Sequence, residues 1–370
     1  MENVHCSVRL FTIRDAPDWD SYVESHPAAT VYHLSGWKNI IEDAYGHKTY
    51  FLICEIQTNP SGPKSPGGAR KITGVLPLVH IKNLVFGNSL ISMPFLDYGG
   101  ILADDGESEN ALLAEALKIG QELKVSHIEL RHIEPLSGQD SFDADAQVSI
   151  YPRSHKVCMH LDLPEDFDIL IRSFKSKLRS QIGRPLKSGL RAEVGHMEHI
   201  DHFYNVFSIN MRDLGSPVHS IRLMRNVMEK FSDRARFCVV FKEKQPVAAS
   251  LILGFKDTLE NPWASSLREY KHMSPNMLLY RTMLEYGCER GFCKFDFGRS
   301  SPDEGTFKFK NQWGAKAKPL HWYYISLKEQ SGGREHIDKS RFSFFINYWQ
   351  KLPVCLTKVI GPQIRKHISL

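Results

Sequence analysis

The sequence lacks most of the signatures that would classify it at once. It has no G-x-G-x-x-G and no G-x-x-x-x-G-K-[ST], so dinucleotide-binding and P-loop chemistry lose their main support. Its seven cysteines contain no C-x-x-C pair, and the closest two are Cys288 and Cys293. An odd, scattered set without ligand spacing predicts reduced thiols rather than a metal centre or a disulfide framework. No window approaches the ~18 uninterrupted apolar residues of a membrane span. The N-terminal MENVHCSVRLFTIRD has no apolar core, so no signal peptide is expected. These absences predict a cytoplasmic protein with no resident cofactor or metal. An excess of one charge is also missing: a net +5 hints at acidic partners without requiring DNA.

What is present describes an ordinary globular chain. Its 370 residues are 42% hydrophobic and 24% charged, enough for about two domains. TYFLICEI and ITGVLPLVHI flank the loop QTNPSGPKSPGGARK and predict a hairpin with a long tip. ISMPFLDYGGIL predicts a strand breaking at Gly99-Gly100. NALLAEALKIGQELK carries Leu112, Ala116 and Ile119 on one helical face, and VSHIELRHI is a strand. After the polar SGQDSFDADAQ, CMHLDLP opens a second unit. EDFDILIRSFKSKLRSQI and EHIDHFYNVFSINMRDLG predict helices, ARFCVVFKEKQPVAASLILGF a strand–turn–strand, and NMLLYRTMLEYGCERG a helix before the strand FCKFDFG.

The halves repeat. At a fixed offset Gly120 falls on Gly287, Glu122 on Glu289, Ile128 on Phe295 and Glu129 on Asp296, with Tyr98 near Tyr270. Each half reads hairpin, strand, helix, strand, which predicts a duplicated α/β domain with a mixed, mostly antiparallel sheet flanked by helices. The expected boundaries are 1–150, 151–328 and a basic tail at 329–370.

Chemistry concentrates in FDFGRSSPDEGTFKFKNQWGA. A strand ends in Asp296, where α/β folds open a crevice, and a carboxylate there can take a proton from an amine. Phe307, Lys308, Phe309 and Lys310 alternate, which predicts a strand with both lysines on one face. A cation against a dry aromatic wall can stabilise an oxyanion. An Asp296–Arg299 ion pair over a solvated face is the plain structural alternative. RSFKSKLRSQIGRPLKSGLR holds seven basic residues and no acid. Its Arg179, Arg184 and Lys187 suit a phosphate-bearing ligand, or simply a soluble helix. MRDLGSPVHS offers Arg212 and His219 in a loop, and Tyr98 and Tyr270 could hydrogen-bond a substrate.

SPNMLLYRTMLEYGCERGFCKFDFGRS followed by GTFKFKNQWGA resembles the second half of the FemAB/FemX family, with its D-F-G-type strand end and its aromatic-x-Phe-Lys-x-x-aromatic-Gly segment. Here that segment is Phe307 to Gly314. HLSGWKNII, GVLPLVHI and MPFLDYGGIL fit the first half, and the likeness runs over roughly residues 25–325. Trp349, Leu352 and Pro353, then Gly361, Pro362 and Ile364, resemble the branch associated with exosortase/PEP-CTERM exopolysaccharide systems, also described as GNAT or BioF2-like acyltransferases. The long helical-hairpin insertion of some members is missing.

The resemblance implies two tandem GNAT-like domains and transfer of an activated acyl or aminoacyl group to an amine on a cell-envelope or exopolysaccharide precursor. It implies that Phe309 and Lys310 contribute to the reaction, Lys310 facing the oxyanion. It implies that Arg212 and His219 lie by the acceptor pocket, and that Lys38 falls near a substrate-touching helix. Asp296 would orient Lys310 or take the amine proton. The pyrophosphate cradle [RQ]-x-x-G-x-[GA] of acetyl-CoA-using GNAT domains is not found before either repeated helix. The donor stays open between aminoacyl-tRNA and an acyl-CoA or acyl carrier. The rivals are an acyl-CoA-dependent N-acyltransferase on an amino sugar and a non-catalytic scaffold for a precursor.

The tail from Lys339 to Leu370 has six basic residues and no acid. Phe342, Phe345, Ile346, Trp349 and Leu352 share a helical face, as do Val359, Ile360, Ile364 and Ile368. Such helices either bind an anionic membrane surface peripherally, at the inner face of the membrane, or pack back on the body.

Overall fold

The computed structural model describes residues 6–58, 69–83, 85–137, 149–153, 156–327 and 345–369. The chain forms two compact units, one of Met1–His155, Pro319–Ser331 and Ser369–Leu370, the other of Lys156–Lys318 and Gly332–Ile368.

In the first unit the strands are β1 (Cys6–Leu10), β2 (Lys48–Thr58), β3 (Ala69–Asn83), β4 (Gly87–Ser92), β5 (Leu102–Ala103), β6 (His127–His132), β7 (Ser149–Arg153) and β15 (His321–Ser326). They form one sheet in the order β1-β2-β3-β4-β6-β15-β7, with β5 against β3. Among the described strands of this unit only β4 and β6 run parallel. Helices α1 (Ala16–Ser25) and α2 (Gly36–Tyr45) precede the hairpin, and α3 (Gly106–Glu122) connects the parallel pair. Asp105 caps α3 by accepting the Ser108 N–H. Its apolar face (Leu112, Leu113, Ala116, Ile119) lies in one core with Leu52, Leu76, Leu78 and Ile128.

The second unit repeats this plan. Its strands are β8 (Val157–Asp162), β9 (Leu190–Gly195), β10 (Ala235–Lys242), β11 (Gln245–Phe255), β12 (Thr258–Ser266), β13 (Lys294–Ser300) and β14 (Lys316–Pro319), ordered β14-β8-β13-β12-β11-β10-β9. Here β12 and β13 run parallel. Its helices are α4 (Phe167–Ser173), α5 (Ser176–Lys187), α6 (Ile200–Asp213), α7 (Ile221–Lys230), α8 (Pro275–Glu289), α9 (Gly305–Gln312) and α10 (Val354–Arg365). α8 joins the parallel strands as α3 does in the first unit.

The repeat seen in the sequence holds at the level of register. Ile128 pairs with Leu90 and Glu129 with Ile91; Phe295 pairs with Leu259 and Asp296 with Glu260. The matched glycines explain themselves too. A Cβ at Gly120 would sit 2.7 Å from Leu327, and one at Gly287 2.8 Å from Leu163, so both positions let a helix close onto its sheet.

Four expectations are corrected. The alternating Phe-Lys stretch is not a strand but α9, ended by Gly314 at φ +86°. Four residues are too few to separate period 2 from period 3.6, and the buried positions Lys310 and Trp313 share a helical face. Residues 165–182 hold two helices, not one, because Phe174 is extended (ψ 146°). The third strand stops at Ser92, before the left-handed Met93 and Phe95, rather than at Gly99-Gly100. HWYYIS, assigned to the second half, completes the first unit's sheet against β6 and β7.

Among the described residues, no helix is long and apolar enough to cross a membrane. In the tail, Phe342 lies outside the described residues. A helical turn at 345–349 and α10 pack on the second unit through Trp349, Thr357 and Gly361.

Candidate active site

β12 and β13 pair over only three residues, ending at Glu260 opposite Asp296, although β12 continues to Ser266 and β13 to Ser300. An opening at the carboxyl end of a parallel pair is where an α/β sheet admits a ligand. The row of paired residues Leu259, Phe295 and Leu161 faces the hydrophobic core. The next row, Glu260, Asp296 and His160, lies on the other face by strand alternation. Three polar side chains thus line up across three strands at the point where the ladder parts.

Asp296 is only 2% exposed. Its Oδ1 accepts the Gly298 N–H at 2.7 Å, and its Oδ2 lies 3.3 Å from His160 Nε2. Burial, then the ammonium groups of Lys294 and Lys318, push His160 down to about 4. The imidazole is therefore neutral near pH 7, with its Nε2 facing the Asp296 carboxylate.

Between Asp296 and Arg299 the register against β8 shifts, forming a bulge around Gly298 at φ +75°. A side chain would strain that backbone, which accounts for the glycine. Lys310 reaches the same bulge from α9. Its Nζ donates to the Gly298 carbonyl at 3.0 Å and the Arg299 carbonyl at 2.8 Å, and the residue is 7% exposed. Carboxylate and ammonium thus grip one glycine, the first by its N–H and the second by its C=O. An ammonium in so dry a place carries a field that water would screen at a surface.

Phe309 fixes α9 in place. Its ring meets Tyr280 at 5.0 Å and Trp313 at 6.3 Å, and Tyr280 stacks on Phe297 at 5.4 Å. This cluster ties α9, α8 and β13 together and orients Lys310. Burial raises the Tyr280 phenol to about 12, so it is protonated near neutral pH.

The structure brings Asp296, Arg299, Phe309 and Lys310 together. Lys308, two positions away on the helix, is exposed. Arg179, Arg184 and Lys187 are exposed along α5. Arg179 caps carbonyls of Arg172 and Phe174, and the other two complement the negative end of α5. Arg212 pairs with Asp213 and donates to the Leu352 carbonyl. His219 is buried, its ring accepting from Arg365 Nε at 3.0 Å, and burial followed by Arg365 holds it far below its usual pKa. Both residues thus engage the tail. Tyr270 packs half-buried against the second core. In the first unit, Tyr98 is buried edge-on against Tyr32, and Lys38 pairs with Glu42.

Sequence reasoning missed His160 and Glu260. Each alternates with apolar neighbours in a strand (Met159 and Leu161; Leu259), and that period-two signal was available. Among the described residues no cluster of three His, Cys, Asp or Glu could hold a metal ion.

Residues 172–311 match the model of an acetyltransferase (GNAT) domain, a span that takes in Asp296 and ends one residue past Lys310. No curated protein sequence matches the chain. Among solved structures, FemX is similar with a TM-score of 0.63 and 17% identity, over 86% of this chain and 96% of that one. L-PGS from Bacillus licheniformis is similar with a TM-score of 0.53 and 11% identity, over 91% of this chain and 98% of that one. A tandem GNAT protein from the clavulanic acid biosynthesis pathway gives 0.53 and 11%, over 88% and 100%. These likenesses establish the architecture: two GNAT folds in tandem, each a mixed sheet flanked by helices.

Proposed function

From a tandem GNAT fold whose second unit carries a buried Asp–Gly–Lys grip, we propose an acyltransferase that moves an activated acyl or aminoacyl group to an amine. The acceptor is an amine on a cell-envelope or exopolysaccharide precursor, and the reaction takes place on the cytoplasmic side. The observation that carries this reading is the dry pairing of Asp296 and Lys310 on the Gly298 bulge, where β12 and β13 part.

The amine attacks the donor carbonyl, and a new C–N bond forms. Asp296 takes the proton that the nitrogen loses, with His160 holding the carboxylate from the next strand. The Lys310 charge stabilises the tetrahedral oxyanion, and its two carbonyl contacts keep the bulge in shape. Collapse breaks the bond to the leaving oxygen or sulfur, which takes the proton back from Asp296. Arg299, Arg179, Arg184 and Lys187 would meet phosphate groups of donor or acceptor, and Tyr270 the substrate beside α8.

The acetyltransferase description of the matching domain favours a second reading, with acyl-CoA as donor and an amino sugar as acceptor. Tight binding of CoA by calorimetry supports that donor; retention of the protein by aminoacyl-tRNA supports the other. Mass spectrometry of envelope and polysaccharide precursors, with and without the protein, tests both. A mass difference identifies the group transferred, and an unchanged precursor pool in cells making Lys310→Ala in place of wild type is expected to match the deletion. Wild-type levels of transferred group in that variant would favour the scaffold instead.

A further inference from the structure

A helix lying on a globular surface ordinarily buries its apolar side and shows a polar one. α10 does not follow this rule. Its inner side is already spent on packing: Thr357 and Gly361 are buried, and a Cβ at Gly361 would lie 3.1 Å from the Val218 backbone nitrogen. Its outer side carries apolar side chains as well, beside the polar Gln363. Leu356 and Val359 stand in solvent, Val359 70% exposed. The turn at 345–349 repeats the pattern, with Trp349 buried while Phe345 is 67% and Tyr348 62% exposed. Two successive helical pieces therefore leave a second apolar side uncovered.

The charges around it have one sign. Residues 345–369 contain Lys351, Lys358, Arg365 and Lys366 and no Asp or Glu. Lys351 lies just before α10 and Lys366 is its C-cap, so along the chain lysines stand before and after the exposed pair Leu356 and Val359. Aromatic and aliphatic side chains flanked by lysines are the composition of an interfacial helix.

We propose that the outer face of residues 345–366 docks on an anionic phospholipid surface. Phe345, Tyr348, Leu356 and Val359 enter the boundary between headgroups and acyl chains, and Lys351 and Lys366 meet lipid phosphates. A second copy of the chain fits this face poorly. A two-fold contact would lay the patch on itself, lysines facing lysines, with no carboxylate in the segment to pair them. Because the segment is seated on the second unit through its inner side, the docking face is preformed and needs no folding on contact. The inference stands apart from the transfer chemistry and does not require it.

Co-sedimentation of the full chain with vesicles tests it. The protein is expected to pellet with phosphatidylglycerol–phosphatidylcholine vesicles, to stay in solution with phosphatidylcholine alone, and to release as salt rises. Leu356→Glu and Val359→Glu together are expected to weaken binding about tenfold or more, since they replace inserted apolar groups by like-charged ones. Both positions are exposed, so the melting temperature should hold, and Phe345→Ser supplies a second variant free of added charge. Binding to neither vesicle, equal binding to both, or binding indifferent to these changes overturns the proposal. So does a dimer by light scattering that the same substitutions dissociate.

Discussion

The two units share one strand order, one parallel pair and one glycine that seats a helix, yet they end that parallel pair in opposite ways. In the first, the position matching Asp296 is Glu129, and the strand end is occupied by the unit's own side chains. Arg131 is wholly buried, pairs with Glu129 at 2.7 Å, donates to the Leu96 and Ser369 carbonyls, and lies 4.4 Å over Trp322. His132 presses on Gly100, where a Cβ would come within 2.6 Å of its ring. In the second unit the corresponding strand is bulged at Gly298, and Asp296 and Lys310 grip the backbone of that bulge. One plan is thus closed with a salt bridge in the first unit and, in the reading proposed above, serves chemistry in the second, and the residues just after the shared register position make the difference.

The sharpest way to break this comparison is to remove the cation from each side. Arg131→Ala leaves Glu129 and two carbonyls without their buried donor, which should cost about 3–5 kcal/mol of stability. A thermal melt should show the loss, while transfer per folded molecule stays near wild type. If Arg131→Ala instead abolished transfer in protein that remained folded, the division of labour would be wrong.

The shared feature comes next. Gly120→Ala and Gly287→Ala each push a Cβ against a leucine methyl, 2.7 and 2.8 Å away. Those methyls can yield, so each change should cost about 1–2 kcal/mol, and the two losses should be alike. Chemical denaturation of both variants checks this. A strong inequality would show that the repeat does not extend to packing.

A further effect is graded by pH. Burial first, then its histidine neighbours, lower His132 to about 3; His160 falls to about 4, and His219 is lowered too. All three are neutral when folded, while unfolded imidazoles bind protons below about 6.5. Stability is therefore full above about pH 6.5 and falls as pH drops toward the folded values, by about 1.4 kcal/mol per pH unit per histidine. His219→Gln, which keeps an acceptor for Arg365, should flatten that slope in urea melts taken from about pH 7 down to about 5.

Much of this was legible in the sequence, for reasons that also explain the rest. The matching of Gly120 with Gly287 and of Glu129 with Asp296 survives as register because helix and strand periods are local properties. The joining of β15 to the first sheet was not legible: Tyr323 pairs with Leu130 across nearly two hundred positions, and nothing local encodes that choice. The Phe-Lys alternation misled because two periods coincide over four residues. The basic run 172–191 and Lys310 were both visible as charge, but only the fold separates exposed Arg184 and Lys308 from buried Lys310. His160 stayed hidden because a lone histidine in a strand has no motif; its role comes from pairing with a residue 136 positions later, Asp296.

The central claim is that the buried ammonium of Lys310, and not the exposed one of Lys308, serves acyl transfer. Its direct measurement is the rate at which the mass-shifted precursor forms in cells making Lys310→Ala or Lys308→Ala at equal protein level. Loss of an oxyanion donor costs about 10²–10³ in rate, so the Lys310 variant should fall by that much and the Lys308 variant should stay within about twofold. Equal losses in both, or normal rates in both, would contradict the account.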